Sequence, residues 1–146
     1  MKAYADSSFM VALYLQQQSS LVAATFMQQH GSALPFTPWH RLEVRNAIRL
    51  AVFHGAIYPP QGKAQLKQID ADLREETLIV HVPIDWVTVL REAEKLGAAH
   101  NESMGCRSGD LFHIAAAVEW GADRFLTFDE RQKKMAKAAG LVVRVS

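Results

Sequence analysis

Four acidic side chains stand at positions where carboxylates can take part in chemistry. Asp6 and Asp129 each follow a short apolar segment that is predicted to be a strand. In an open parallel sheet, sites form beyond the carboxyl ends of the strands. Glu43 and Asp110 each lie within the apolar arc of a predicted helix, so both acids are expected to face a core. Because a carboxylate facing a core is costly to keep charged without a partner, these acids predict a common site.

The residues alone also leave a structural interpretation open. An Asp directly before a helix is a frequent N-cap, and Asp129 with Gln132 loosely fits a capping box. Asp110 lies near a helix N-terminus, where the helix dipole favours an acid. Glu43 is harder to explain in this way, because it lies about 20° from Leu50 on the helical wheel, within the apolar arc. Glu43 therefore favours a functional site.

Four converging carboxylates require a cation. Two like charges about 4 Å apart repel by about 4 kcal/mol at an effective dielectric constant of about 20. Hard oxygen ligands at a strand-end crevice suit Mg²⁺, with Mn²⁺ as a substitute. Both ions keep several bound waters and bind phosphate oxygens. The acidic residues therefore predict a divalent-metal site that is able to bind phosphate.

The elements that must position these acids alternate between strand and helix. The predicted strands are 3–5, 33–36, 78–82, 125–128 and 141–145. The predicted helices are 9–15, 21–29, 39–53, 63–75, 84–96, one from an N-cap at Ser108 to Gly121, and one ending at 139. Gly97 is expected to stop the helix before a polar loop, 98–107. This alternation predicts the α/β class, with a parallel β-sheet sandwiched by helices in a single domain, 1–146.

Composition limits the class of protein further. The chain has 146 residues, of which 49% are hydrophobic and 21% charged, an ordinary globular balance. Its formal net charge of +1 creates no strong field for a polyanion, so nucleic acid must be bound through local basic clusters. The single Cys106 cannot form an intramolecular disulfide, which favours a reducing compartment. No apolar run is long enough for a transmembrane helix, so we expect a cytoplasmic protein without a membrane partner.

The order of the motifs resembles that of PIN-domain nucleases, in particular the VapC-type ribonuclease toxins of bacterial and archaeal toxin–antitoxin pairs. The matching segments are Tyr4-Ala5-Asp6-Ser7-Ser8, Glu43-Val44-Arg45-Asn46-Ala47, Asp110-Leu111-Phe112-His113-Ile114-Ala115-Ala116-Ala117, Phe125-Leu126-Thr127-Phe128-Asp129 and Ala138-Ala139-Gly140-Leu141. The resemblance spans essentially the whole chain and includes all four acids. It implies a three-layer α/β/α fold, Mg²⁺-dependent hydrolysis of RNA, a homodimer, and inhibition by a cognate antitoxin protein.

The resemblance also implies a division of roles among the acids. Asp6 and Asp110 would hold the metal most directly. Glu43 and Asp129 would complete the cage or orient the attacking water. All four acids are therefore expected to be catalytic.

Four neighbouring residues are candidates for supporting roles. Ser8 and Thr127, each near an acid in the sequence, are expected to hydrogen-bond a carboxylate or water. His113 lies roughly 60° round the helix from Asp110, close enough to support that acid. Arg107, close to Asp110 in the sequence, is the candidate for a phosphate contact.

Two other functions stay open on the sequence alone. Asp6 is also suited to be the nucleophile of a phosphatase or a receiver-like domain. However, Asp6-Ser7-Ser8 lacks the second Asp of an Asp-x-Asp motif, and the last strand carries Arg144 where a receiver needs Lys. A catalytically inactive PIN-like binding module would keep the same acids as helix caps and ion-pair partners. Metal binding distinguishes the nuclease from the inactive module, and labelling by BeF₃⁻ would reveal an Asp nucleophile.

Overall fold

The computed structural model describes residues 1–143, and its strands and helices alternate as predicted. The strands are β1 (Ala3–Ala5), β2 (Leu34–Phe36), β3 (Ile79–His81), β4 (Arg124–Leu126) and β5 (Val142–Val143). The helices are α1 (Ser7–Tyr14), α2 (Ser20–His30), α3 (Pro38–Phe53), α4 (Pro59–Glu75), α5 (Trp86–Met104), α6 (Ser108–Trp120) and α7 (Glu130–Ala138). The predicted strand 141–145 extends beyond the described residues, since 144–146 lie outside them. No helix within residues 1–143 is long and apolar enough to cross a membrane.

The chain divides into two compact units. The terminal unit combines Met1–Asp6 with the chain from Ile84 onward, and the central unit is Ser7–Pro83. In the terminal unit, β4 lies between β1 and β5, and both pairings are parallel. Because Ala5 is in register with Leu126, the residues that follow these strands leave the sheet at the same edge. This register places Asp6 and Thr127 side by side.

The central unit has its own parallel pair, β2 with β3, and the helices α1 to α4. Its buried polar residue Asp72 accepts hydrogen bonds from Tyr14 Oη at 2.7 Å, Gln68 Nε2 at 2.9 Å and Thr77 Oγ1 at 3.1 Å. Burial and the Asp72 carboxylate raise the pKa of Tyr14 far above its ordinary value, so the phenol stays protonated and remains a donor. All strand pairing in the described residues is parallel, which confirms the predicted α/β class.

Helix α5 does not stop at Gly97, and the predicted loop 98–107 was largely wrong. A Cβ atom on Gly97 would lie 3.3 Å from Leu111 Cδ1, which is tighter than ordinary van der Waals contact. The glycine therefore permits close packing of α5 against α6 and does not end the helix. The end lies at Gly105, whose φ of +70° is a left-handed conformation that glycine adopts without strain.

Helix α4 begins earlier than predicted, because Pro59 and Pro60 form its first turn and not a loop. Proline suits this position, since the first N–H groups of a helix have no intrahelical acceptor.

The apolar arc of α3 is also narrower than predicted. Val44 and Ile48 are fully buried, but Leu50 is 46% exposed, so its assignment to the core was wrong.

Candidate active site

Asp6 is the centre of the acidic site in the terminal unit. It follows β1, and its N–H donates to Leu126 O at 3.0 Å, which continues the parallel ladder by one residue. Only 1% of Asp6 is exposed. Its Oδ2 accepts hydrogen bonds from Thr127 Oγ1 at 2.6 Å and from Gln132 Nε2 at 2.8 Å. The buried carboxylate is thus held in one orientation by two side chains.

The connection that follows β4 supplies Thr127, and the first turn of α7 supplies Gln132. The Thr127 hydroxyl, besides donating to Asp6, accepts from the backbone N–H of Asp129 at 3.0 Å. Asp129 Oδ1 in turn accepts from the backbone N–H of Gln132 at 2.9 Å, so Asp129 is the N-cap of α7. The cap fixes the first turn of the helix, and this turn directs the Gln132 amide at Asp6. The residues that cap α7 therefore also position the groups that contact Asp6.

Asp110 lies half-buried in the first turn of α6. Its Oδ2 accepts from the backbone N–H of Arg107 at 3.2 Å. Burial raises the pKa of Asp110, and the negative charges of Asp129 and Asp6 raise it further, while the Arg107 N–H and His113 act in the opposite direction. Two of the other predicted acids, Asp6 and Asp129, thus act electrostatically on Asp110 within the terminal unit.

His113 lies one turn beyond Asp110 and is almost fully buried. Its Nδ1 is 2.9 Å from the Tyr4 hydroxyl, and which of the two donates depends on the tautomer. Tyr4 also stacks on Phe125, with ring centroids 6.0 Å apart. His113 therefore links α6 to the strands that carry Asp6 and Thr127, which gives the predicted supporting residue a concrete contact.

Glu43 lies on α3, in the central unit. Its Oε1 accepts a hydrogen bond from Ser7 Oγ at 2.7 Å. Ser7 is the residue that follows Asp6 in the chain. Ser8, the serine selected from the sequence, has an exposed side chain. Its predicted role in binding a carboxylate or water stays a prediction.

Arg107 precedes α6 as its N-cap residue, and its side chain is exposed. The backbone N–H of Arg107 is already used by Asp110. An exposed guanidinium beside an acidic centre is free to reach an anionic ligand in solution. The phosphate contact of Arg107 stays a prediction.

The donor chemistry of the acidic centre fits Mg²⁺, although its spacing is not that of a closed cage. Within residues 1–143, no three His, Cys, Asp or Glu side chains lie close enough together to hold an ion. The carboxylates of Asp6, Asp110 and Asp129 are instead each bound by a protein donor. Gln132 Oε1 is a buried acceptor with no hydrogen-bond partner in the described part of the chain. Carboxylate and amide oxygens are the ligands that Mg²⁺ and its bound waters prefer.

Two residues of the terminal unit were not predicted as site components: Tyr4 and Gln132. Tyr4 directly precedes the Ala5-Asp6 dipeptide, but β-strand alternation alone does not reveal its hydrogen bond to a helix that begins at residue 108. Gln132 was noticed only as a capping residue. Its backbone does cap α7, yet the same residue also reaches Asp6 through its side chain.

The raised pKa of Asp110 predicts a pH-dependent effect of Asp110→Asn in metal-free buffer. A carboxyl whose folded-state pKa is raised binds more protons in the native state than in the unfolded state between the two pKa values, so stability falls as pH rises through that range. Asp110→Asn removes this loss, and its amide oxygen can still accept from Arg107 N–H. We expect the variant to melt above wild type at neutral pH in EDTA, and the difference to vanish below the ordinary pKa of Asp. A lower melting temperature at neutral pH would contradict the electrostatic interpretation.

The fold and the site together define a parallel α/β protein with an acidic centre at the carboxyl ends of β1 and β4. The family model of the PIN domain matches residues 3–138. The chain therefore belongs to the PIN domain family. No curated protein sequence matches it significantly.

Several solved structures share the fold. VapC20 of Mycobacterium tuberculosis, described as a toxin that cleaves the sarcin-ricin loop, has a TM-score of 0.68 and 17% identity, over 97% of both chains. FitAcB of Neisseria gonorrhoeae has a TM-score of 0.66 and 11% identity, over 97% of this chain and 95% of that one. VapBC2 of Rickettsia felis, bound to a DNA fragment from its promoter, has a TM-score of 0.63 and 12% identity, over 99% and 98%. These likenesses confirm the predicted PIN-like fold.

Proposed function

We propose that this chain is a Mg²⁺-dependent endoribonuclease, the toxin of a toxin–antitoxin pair, which hydrolyses phosphodiester bonds of RNA. The observation that carries the proposal is the buried Asp6 carboxylate, held by Thr127 and Gln132 at the carboxyl edge of the sheet. Asp110 and Asp129 act on the same centre electrostatically. In a member of the PIN domain family, this arrangement supports a nuclease site.

The proposed roles follow from the position of each side chain. Asp6 and Asp110 would hold the divalent ion, Mg²⁺ or Mn²⁺, which when bound would lower the pKa of a water and neutralise charge developing on the phosphate. Thr127 keeps the Asp6 carboxylate from rotating away. Asp129, at the exposed start of α7, is proposed to orient the attacking water.

Glu43 is the fourth proposed catalytic acid. Its support is the motif Glu43-Val44-Arg45-Asn46-Ala47, which resembles the second acidic motif of PIN-domain nucleases. Arg107 is proposed to contact a phosphate of the RNA, as its guanidinium is exposed at the start of the helix that carries Asp110. Residues 1–146 are proposed to act as one nuclease domain.

The proposed partners rest on the family and on the structural neighbours. VapC20 is described as a toxin that cleaves the sarcin-ricin loop, and VapBC2 was solved with a fragment of its promoter DNA. By this likeness we propose a structured RNA as substrate, a cognate antitoxin protein as inhibitor, and a homodimer in the cytoplasm. With a net charge of +1, affinity for RNA is expected to come from local contacts such as that of Arg107.

An inactive PIN-like module is the second candidate, and one observation favours it. Each acid of the terminal unit already has a protein donor, and residues 1–143 contain no closed group of three metal-binding side chains. A module of this kind would bind its partner with no divalent ion and no turnover.

RNA cleavage with and without metal tests the proposed function. We expect structured RNA to be cleaved in Mg²⁺ or Mn²⁺ and not in EDTA. Because water and not the ribose 2′-hydroxyl is the nucleophile, the products should carry no 2′,3′-cyclic phosphate. Cleavage that persists in EDTA, or that leaves cyclic phosphates, would contradict the metal mechanism. The absence of both cleavage and metal binding would favour the inactive module.

A further inference from the structure

Gln132 is a buried amide that joins the acidic centre through two different groups. It is 5% exposed, although glutamine is usually a surface residue. Its backbone N–H donates to Asp129 Oδ1 at 2.9 Å, and its side-chain Nε2 donates to Asp6 Oδ2 at 2.8 Å. One residue therefore contacts two of the acids.

The oxygen of the same amide makes no such contact. Gln132 Oε1 is buried and has no hydrogen-bond partner within residues 1–143. The opposite orientation of the amide would place this oxygen against the Asp6 carboxylate, where two acceptors repel, so Nε2 must face Asp6. A buried acceptor without a donor is costly and calls for an explanation.

Gln68 shows that a glutamine amide can donate to a buried carboxylate while its own side chain stays exposed. Its Nε2 donates to Asp72 Oδ1 at 2.9 Å, a bond of the same kind to a buried carboxylate. The Gln68 side chain is exposed, so its oxygen is accessible to solvent. The difference between the two glutamines lies in the surroundings of the amide oxygen.

Building on the proposed function, we propose that Gln132 is a positioning residue of the metal centre: its Nε2 fixes Asp6, and its Oε1 accepts a hydrogen bond from a water bound to the divalent ion. Mg²⁺ gives up its waters reluctantly, so acceptors for those waters are needed around the carboxylates. A neutral amide supplies such an acceptor without adding a charge to a group of repelling acids. Removal of a residue that supports a metal site in this way typically weakens metal affinity about 10- to 100-fold.

Two substitutions test the role of Gln132. Gln132→Met keeps the approximate shape of the side chain and removes both the donor and the acceptor. Gln132→Glu removes the donor, keeps an oxygen acceptor and adds a negative charge beside Asp6. Because this charge attracts a cation by itself, tight Mn²⁺ binding by Gln132→Glu is required by the proposal, and binding weaker than that of wild type contradicts it. A water of the bound Mn²⁺ within hydrogen-bond distance of Oε1 in a crystal structure separates the acceptor role from a purely structural donor.

The test is calorimetric titration of the full chain with Mn²⁺ alone, together with thermal melts in EDTA. We expect Gln132→Met to bind Mn²⁺ about 10- to 100-fold more weakly than wild type. Gln132→Glu should bind Mn²⁺ at least as tightly as wild type but melt at a lower temperature in EDTA, because two carboxylates then repel. Gln68→Met, the matched control, should leave Mn²⁺ affinity unchanged.

Wild-type affinity in Gln132→Met, or equal weakening in both variants, would overturn the proposal while leaving the nuclease assignment intact. Failure of wild type itself to bind Mn²⁺ would overturn the proposed function and this inference with it. If Gln132→Met does not fold, Gln132→Glu decides alone, since weaker Mn²⁺ binding in that variant contradicts the acceptor role.

Discussion

Asp6→Asn is expected to reduce RNA cleavage by more than about a hundredfold, because loss of even a supporting residue around a metal costs about 10- to 100-fold. The amide oxygen of Asn can still accept from Thr127 and Gln132, so the hydrogen bonds that hold the side chain survive. The negative charge that attracts the cation is lost. We therefore expect a folded variant whose melting temperature in EDTA is close to that of wild type, measured alongside cleavage of the same RNA.

Asp123→Asn is the matched control for this substitution. Asp123 lies in the same unit and accepts a hydrogen bond from the backbone N–H of Lys2 at 2.9 Å, but it is exposed and has no contact with the acidic centre among those described. It should retain cleavage. Full RNA cleavage by Asp6→Asn would show that Asp6 is not a catalytic residue. An equal loss of cleavage in Asp123→Asn would point to a general effect of charge.

Excess Mn²⁺ is expected to stabilise the fold by about 2.7 kcal/mol at a hundredfold excess over its dissociation constant. Asp6, Asp110 and Asp129 are brought into one compact unit only in the native chain, so the proposed ion is expected to bind the folded state in preference to the unfolded one. For a chain of 146 residues this corresponds to a shift of several degrees in melting temperature. A thermal melt in EDTA and in Mn²⁺ measures it.

The sign of the pH dependence follows from the state of the carboxylates. Without metal, burial and neighbouring charges raise the pKa of Asp110. A bound cation favours the ionised carboxylates, so the metal-dependent stabilisation is present near neutrality and is lost as pH falls and these groups protonate. Asp110→Asn should shrink the gain and Asp123→Asn should keep it. Equal melting temperatures of wild type in EDTA and Mn²⁺ at neutral pH would show that the acids do not bind an ion.

The part of the site that was predictable from the sequence is the part governed by strand ends. Asp6 and Thr127 meet because β1 and β4 are parallel neighbours in register, and carboxyl ends of parallel strands share one edge. The turned-in acid of α6 was predictable from helical periodicity. Neither rule determines which strands pair across a separation of 121 positions, and the family resemblance supplied that order.

The features that were not predictable depend on tertiary packing. Gly97 has the signature of a helix stop, but the close approach of Leu111 explains why glycine occurs within α5. Leu50 falls on the apolar side of its helical wheel, yet it is 46% exposed because only a narrow stripe of α3 packs inward. Gln132 matches a capping pattern, and its backbone N–H does take part in the cap of α7. Its contact with Asp6 depends on how α7 leaves the sheet, which local sequence does not specify.

The most direct test of a metal centre at Asp6 is the anomalous scattering of crystals grown with Mn²⁺. We expect an ion within coordination distance, roughly 2.0–2.3 Å, of a carboxylate oxygen of Asp6 and of Asp110, with Gln132 Oε1 beside one of its waters. An ion bound elsewhere, or a protein that cleaves RNA with no ion at these carboxylates, would contradict it.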